Sequence, residues 1–136
     1  MSQKQPSLIA LDLEGVLVPE IWIAVAEKTG IDGLKLTTRD VSDYDQLMQG
    51  RLNILRKNNL TLKHIQEVIA TLKPLPGAKD FLDQLRESYP VIILSDTFYE
   101  FASPLMAQLN RPALFCNSLE VDKEHRIVDY HLRQKD

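Results

Sequence analysis

The stretch LIALDLEG, residues 8–15, decides the fold, because a short apolar run ends abruptly in two acids and a glycine. The four residues of the run are apolar without alternation, as in a strand that is covered on both faces. The run VIIL at residues 91–94 repeats the pattern and ends at a serine, and ALFC at residues 113–116 fits it less firmly. The three runs therefore predict three buried strands.

Apolar stripes with helical spacing lie between these strands, over residues 19–30, 47–55, 62–72, 78–85 and 98–109. Pro19 suits a first helical position, Gly30 suits a helix stop, and Thr61 suits an N-cap. Alternating strands and helices predict an α/β fold with a parallel sheet and right-handed crossovers. The weak alternation over residues 119–132 predicts a hairpin.

The segment PLPG at residues 74–77 is the best hinge candidate, because proline and glycine interrupt helices and mark turns. It separates a helical block from the helix that leads into the second strand. We therefore predict a core formed by residues 1–18 and 74–136 and an inserted helical subdomain over residues 19–73.

Composition restricts the class of protein. The chain has 136 residues and a formal net charge of −3, which suits one domain and gives no basic surface for nucleic acid. Its N-terminal residues lack the apolar run of a signal peptide, and no segment is long enough to span a membrane. Cys116 is the only cysteine, so neither an intrachain disulfide nor a cysteine-based zinc cluster is available. A cytoplasmic enzyme or binding domain is expected.

Two acidic side chains follow the first predicted strand directly. In open α/β sheets, ligands bind beyond the carboxyl ends of the strands, so Asp12 and Glu14 can point at one site. Gly15 lets the backbone turn sharply. The alternative is a solvated turn with an incidental pair of acids, and so short a motif does not distinguish the two.

Ser95, Asp96 and Thr97 occupy the same place after the second predicted strand. A hydroxyl there can bind a phosphoryl oxygen, and backbone N–H groups at a helix start favour anions. The alternative is that Ser95 or Asp96 only caps the helix that begins near Phe98. Two such sites on neighbouring strand ends are more specific than either alone.

The order of these motifs resembles the haloacid dehalogenase superfamily. Its pattern is an apolar strand, Asp-x-Glu/Asp-Gly, a helical insert, a second apolar strand and Ser/Thr. The stretches LDLEGVLVPEIWI at residues 11–23 and ILSDTFYEF at residues 93–101 are similar to the phosphoserine phosphatases that also transfer phosphate to homoserine. The resemblance covers nearly the whole chain and implies a partial Rossmann-like sheet with a helical cap.

The resemblance implies a role for each matching residue. Asp12 would be the nucleophile that forms an aspartyl-phosphate, and Glu14 would be the general acid and base. Mg²⁺ would bind Asp12 and the backbone carbonyl of Glu14. Ser95 and the amide of Asp96 or Thr97 would hold the phosphoryl oxygens. The substrate would be a small phosphorylated amino acid, phosphoserine, in an amino-acid biosynthetic pathway.

Two residues of the predicted cap match the family's contacts with the amino-acid end of phosphoserine. Arg51 lies within an apolar stripe, four residues from both Leu47 and Leu55, and a guanidinium there suits a carboxylate partner. The alternative is an arginine whose stem packs while its head reaches solvent. Glu20 resembles the acid that receives the substrate ammonium, although an acid near a helix start would also explain it.

The sequence departs from the family pattern beyond the third strand. The Asp-rich loop that completes the family's metal site is absent, Lys135 is a poor match for the family's lysine, and the later strands of the sheet are missing. The first strand is therefore expected to lie exposed at a sheet edge, where a homodimer could form. We expect the chain alone to be inactive or weak. The rival hypothesis is a catalytically incomplete module that binds phosphate or associates with itself, and a phosphoacceptor receiver domain is a weaker alternative.

Overall fold

A computed structural model describes residues 7–134 as an α/β fold. The strands are β1 (Ile9–Leu11), β2 (Val91–Phe98), β3 (Ala113–Val121) and β4 (Ile127–His131). The helices are α1 (Ile21–Thr29), α2 (Tyr44–Lys57), α3 (Leu62–Ile69), α4 (Ala78–Ser88) and α5 (Tyr99–Gln108), with a short 3₁₀ helix at Asp32–Lys35. Lys135 lies outside the described residues.

The four strands form one sheet in the order β1-β2-β3-β4. β1 pairs with β2 and β2 with β3 in parallel, which confirms the predicted parallel arrangement. β3 continues past the predicted strand and returns through β4 as an antiparallel hairpin, as the alternation over residues 119–132 predicted. Among the described residues, β1 is an edge strand, as expected from the sequence.

The expectation that the apolar strands are covered on both faces is wrong for the described residues. Leu94 and Phe115 are register partners on one face of the sheet, and they are 40% and 43% exposed. The other face holds the fully buried Ile93 and packs into the core, where α5 contacts β2 and β3. Burial alternates along β2 because helices of the described chain cover one face only.

The ends of two elements differ from the predictions. β2 does not stop at Leu94 but extends to Phe98, with a register shift between these two residues. Helix α1 begins at Ile21, two residues after Pro19. It ends at Thr29, and Gly30, with a φ of 75°, is the left-handed C-cap that glycine favours. Thr61 caps α3 as predicted, and the His64 side chain bonds back to its backbone.

The chain enters and leaves the helical insert at adjacent points. Before α1, the carbonyl of Leu17 accepts a hydrogen bond of 2.8 Å from the backbone N–H of Leu75 in the predicted hinge. The insert therefore begins and ends on the same side of the sheet. The division into a core and a cap over residues 19–73 stays a prediction.

Candidate active site

The loop after β1 holds Asp12 and Glu14 in a tight turn. The backbone N–H of Leu13 donates to Asp12 Oδ1 at 2.7 Å. Gly15 has a φ of 78° and donates its N–H to the carbonyl of Val18 at 2.7 Å, which closes the turn. A side chain would be strained at this φ, so the glycine allows the turn that follows the two acids.

The end of β2 lies next to this loop in the sheet, because β1 and β2 are parallel neighbours. Ser95 Oγ accepts a hydrogen bond of 3.1 Å from the backbone N–H of Thr97. Phe98 is the N-cap of α5 and makes no side-chain cap, so neither Ser95 nor Asp96 caps this helix. The capping alternative is therefore wrong.

One cavity of about 340 Å³ brings together all the residues that the sequence predicted for the site. The two strand ends contribute its floor, and the first two helices of the insert contribute its wall. The predicted residues that line it are Asp12, Glu14, Glu20, Arg51, Ser95, Asp96 and Thr97. Their roles stay predictions. A second cavity, of about 410 Å³, lies elsewhere, between the end of α2 and the β3–β4 hairpin.

Glu14 is a half-buried acid of this cavity. Its Oε2 accepts a hydrogen bond of 3.1 Å from the backbone N–H of Ile21, the first residue of α1. Burial raises the pKa of Glu14 above its ordinary value, with smaller contributions from the charges of Asp12 and Glu20. Hydrogen bonds from Ile21 and Thr97 oppose this shift of the pKa. A carboxyl group with a raised pKa is suited to proton transfer.

Arg51 is buried, with only 7% of its surface exposed, so its guanidinium does not reach solvent as the alternative required. Nη2 donates to the carbonyl of Leu36 at 2.9 Å, and Nη1 lies 3.7 Å from Met48 Sδ. Nε is buried and has no hydrogen-bond partner within residues 7–134. Burial lowers the pKa of Arg51, while Tyr44 and Glu14 oppose this effect.

Two aromatic residues of the cavity were missed in the sequence. Tyr44 begins α2, seven residues before Arg51, and so lies on the same helix face. Extending the apolar stripe back from Leu47 by three residues could have found it. Trp22 packs on Arg51 across two helices, and sequence spacing carries no signal of that contact.

The cavity is rich in acids. Among the described residues that line it, one cation, Arg51, lies with four acids, Asp12, Glu14, Glu20 and Asp96. Oxygen donors of this kind suit Mg²⁺. Within the described residues, however, no group of three His, Cys, Asp or Glu side chains is arranged to hold a metal ion. The donor chemistry therefore fits the ion, but the side chains present supply few of its ligands.

Comparison with known proteins assigns this chain to a family. The sequence profile of the haloacid dehalogenase-like hydrolases matches residues 6–129. This chain belongs to the haloacid dehalogenase-like hydrolase family. The family match covers both strand ends and the helical insert that form the cavity.

Two curated relatives have names that describe a single activity. The chain is 66% identical over 129 residues to the phosphoserine phosphatase ThrH of Pseudomonas aeruginosa. It is 62% identical over 129 residues to the phosphoserine phosphatase of Pseudomonas syringae pv. tomato. Both matches cover 95% of this chain, but only 63% and 54% of the relatives. The chain thus spans less than two thirds of their length.

Solved structures share the fold at low sequence identity. A phospho-aspartyl intermediate analogue of phosphoserine phosphatase aligns with a TM-score of 0.70 and 19% identity, covering 95% of this chain and 64% of that one. An apo phosphoserine phosphatase aligns with a TM-score of 0.73 and 20% identity, covering 94% of this chain and 62% of that one. These likenesses show the fold alone. No helix in the described part of the chain is long and apolar enough to cross a membrane.

Proposed function

We propose that this family member acts on phosphoserine, either hydrolysing it or transferring its phosphate to homoserine in amino-acid biosynthesis. One observation carries the proposal: a cavity of about 340 Å³ is lined by Asp12 and Ser95 and also by the buried Arg51. The acid and hydroxyl suit a phosphoryl group, and the guanidinium suits a carboxylate. The names of the two close relatives support the same substrate.

In this proposal the phosphoryl group is transferred twice. Asp12 attacks phosphorus, an aspartyl-phosphate bond forms and the bond from phosphorus to the seryl oxygen breaks. The protonated Glu14 gives its proton to that oxygen, which leaves as the serine hydroxyl. Glu14 then takes a proton from water or from the homoserine hydroxyl as either attacks the aspartyl-phosphate. The raised pKa of Glu14 supports this role, because it favours the protonated form before the first transfer.

The amino-acid end of the substrate is assigned to the wall of the cavity. Arg51 would bind the carboxylate, since Nε has no protein partner within the described residues and a guanidinium pairs best with a planar anion. Glu20, which is exposed at the start of α1, would receive the ammonium group. Ser95 and the amide of Asp96 or Thr97 would hold the phosphoryl oxygens.

Mg²⁺ would be held by Asp12 and the backbone carbonyl of Glu14, together with phosphate and water oxygens. When bound, it would neutralise charge between the nucleophile and the phosphate. The four acids around one arginine support a need for this added positive charge. Because the described side chains supply few ligands, we expect the metal to bind weakly to this chain.

A second candidate function is favoured by the same scarcity of positive charge. In it, the chain binds a phosphorylated amino acid without turning it over. No lysine lines the cavity within residues 7–134, and Arg51 is assigned to the carboxylate, so no side-chain cation is left for the phosphate. Electrostatic stabilisation is usually the largest catalytic contribution, so we expect this chain alone to be inactive or weak.

Two assays separate the candidates. A phosphate-release assay with phosphoserine and Mg²⁺ should detect little turnover from the chain alone. A chimera that carries this chain in place of the matching part of the Pseudomonas aeruginosa relative should release phosphate, because the rest of that protein is then supplied. A folded but inactive chimera would favour the binding module, and family-like turnover by the chain alone would contradict the expected weakness.

We also propose that the chain associates with itself through β1 and the open sheet face. Parallel sheets are normally covered on both faces, and an unpaired apolar edge is a template for pairing. Leu94 and Phe115 leave an apolar pair on that face, and Leu8 beside β1 is 60% exposed. The cytoplasmic location expected from the sequence stays a prediction.

A further inference from the structure

Trp22 lies against the cation of the proposed carboxylate site. The guanidinium carbon of Arg51 lies over the indole ring of Trp22, 4.7 Å from its centroid, which is within the range of a cation–π contact. Both side chains are at most 9% exposed, so little water competes with the contact. A desolvated cation gains more from an aromatic face than an exposed one does.

The indole ring is itself fixed by the core. Trp22 meets the edge of Phe101 at 5.1 Å between centroids, with an interplanar angle of 74°. Phe101 meets Phe98 in the same way at 5.7 Å, and both phenylalanines are at most 1% exposed. Edge-to-face contacts of this kind hold rings in one orientation. The position of the Trp22 face is therefore set by the packing of α5 against the insert.

The remaining contacts of Arg51 leave it short of partners. Its nitrogen donors meet only a carbonyl of Leu36 and the sulfur of Met48, and none of the ion pairs formed within residues 7–134 includes it. A buried cation without an anionic partner is costly unless something else stabilises it. Trp22 supplies that stabilisation before any ligand arrives, and the buried Nε–H keeps no partner within the described residues.

We propose that Trp22 is a positioning residue that determines specificity: its ring fixes the plane of the Arg51 guanidinium so that the unpaired Nε–H can donate to the carboxylate of the substrate. The inference rests on the proposed phosphoserine function. A guanidinium held in one plane loses less freedom when it binds a planar anion, so preorganisation raises the affinity for the carboxylate ligand. Phosphate binding at Asp12 and Ser95 should not depend on this contact.

The test compares two ligands that differ only in the carboxylate, phosphoserine and phosphoethanolamine. Their dissociation constants are measured by calorimetry for wild type, Trp22→Leu and Trp22→Phe in the presence of Mg²⁺. Trp22→Leu, which removes the aromatic face, should reduce the preference for phosphoserine roughly tenfold. Trp22→Phe should keep part of the preference. Leu82→Ala, a core substitution outside the cavity, should lower stability and leave the preference unchanged.

Intrinsic fluorescence gives a second reading that needs no variant. Trp22 is the only tryptophan, so its emission reports directly on the ring that faces Arg51. Saturating phosphoserine should change this emission more than saturating phosphoethanolamine does. Equal changes, or a Trp22→Leu variant that keeps the full preference, would overturn the inference. If wild type showed no preference between the ligands, the proposed function itself would fail instead.

Discussion

The hydroxyl of Tyr130 in β4 donates a hydrogen bond of 2.5 Å to Oδ1 of Asp45 in α2, a residue 85 positions away. The ring of Tyr130 also meets the edge of Tyr44 at 5.8 Å, and Tyr44 lines the cavity. A second link joins the hairpin to the insert, because Leu62 at the start of α3 donates its N–H to the carbonyl of His125 at 2.7 Å. The hairpin therefore holds the helical insert over the strand ends.

Removing the Tyr130 hydroxyl should weaken this link. A hydrogen bond to a carboxylate contributes more than one between neutral groups, but exposure to solvent weakens it. We therefore expect Tyr130→Phe to lower the free energy of unfolding by about 1 kcal/mol. Urea unfolding of Tyr130→Phe, Asp45→Ala and the double variant measures the coupling between the two residues. Tyr89→Phe is the control, because the Tyr89 hydroxyl makes no hydrogen bond within the described residues. Additive effects of the two substitutions would contradict a direct link.

Glu14→Gln should stabilise the protein at neutral pH. Burial raises the pKa of Glu14 above its ordinary value of 4.5, so the folded state binds its proton more tightly than the unfolded state. Wild type should then lose stability as the pH rises from that ordinary value through the raised pKa. Below the ordinary value, the carboxyl group is protonated in both the folded and the unfolded state, so its burial causes no loss of stability from charge. Urea unfolding should therefore show a more stable variant at pH 7 and no gain near pH 4. A gain that is equal at both pH values would contradict the burial effect.

Arg51→Met should remove the preference for phosphoserine over phosphoethanolamine, which lacks the carboxylate. A charge-assisted hydrogen-bonded pair contributes about 2 kcal/mol, which corresponds to roughly a 30-fold loss of affinity for phosphoserine. The affinity for phosphoethanolamine, measured by the same titration, should change much less. Arg51→Lys should recover only part of the loss, because an ammonium group lacks the planar fork. Equal losses for both ligands would mean that Arg51 is structural.

Charges on the open sheet face should prevent self-association. Leu94→Lys and Phe115→Lys place cations on the register pair that is exposed on that face, and each should shift the chain to a monomer in size-exclusion chromatography. Val128→Lys is the control, because Val128 is 44% exposed on β4 but lines the second cavity beside the end of α2, so it should leave the association unchanged. A wild-type chain that is monomeric at every concentration would contradict the proposed association.

The sequence brought the residues of the candidate cavity together because their positions follow from local rules. Asp12 and Ser95 end apolar runs, and parallel neighbours bring their carboxyl ends together. Arg51 was singled out by its spacing within the stripe that includes Leu47 and Leu55, and the family resemblance favoured a binding role over packing alone. These features depend on strand order and helix period, which are encoded within a few residues.

What sequence did not predict depends on packing between distant segments. The exposure of Leu94 and Phe115 depends on which helices cover the sheet. An apolar run has the same sequence pattern whether its second face is covered or open. The contacts of Trp22 with Arg51 and of Tyr130 with Asp45 join elements far apart in the chain. Neither pair has a spacing that a local pattern could reveal.

The most direct test of the account is phosphate release from phosphoserine by the chimera described above, with and without Asp12→Asn. The substitution keeps the size of the side chain and removes the attacking carboxylate oxygen, so circular dichroism should show the same fold. With Mg²⁺ present, we expect turnover by the parent chimera and a loss of at least about a thousandfold in kcat in the Asp12→Asn form. Turnover retained in the folded Asp12→Asn chimera would contradict the assignment of Asp12 as the nucleophile.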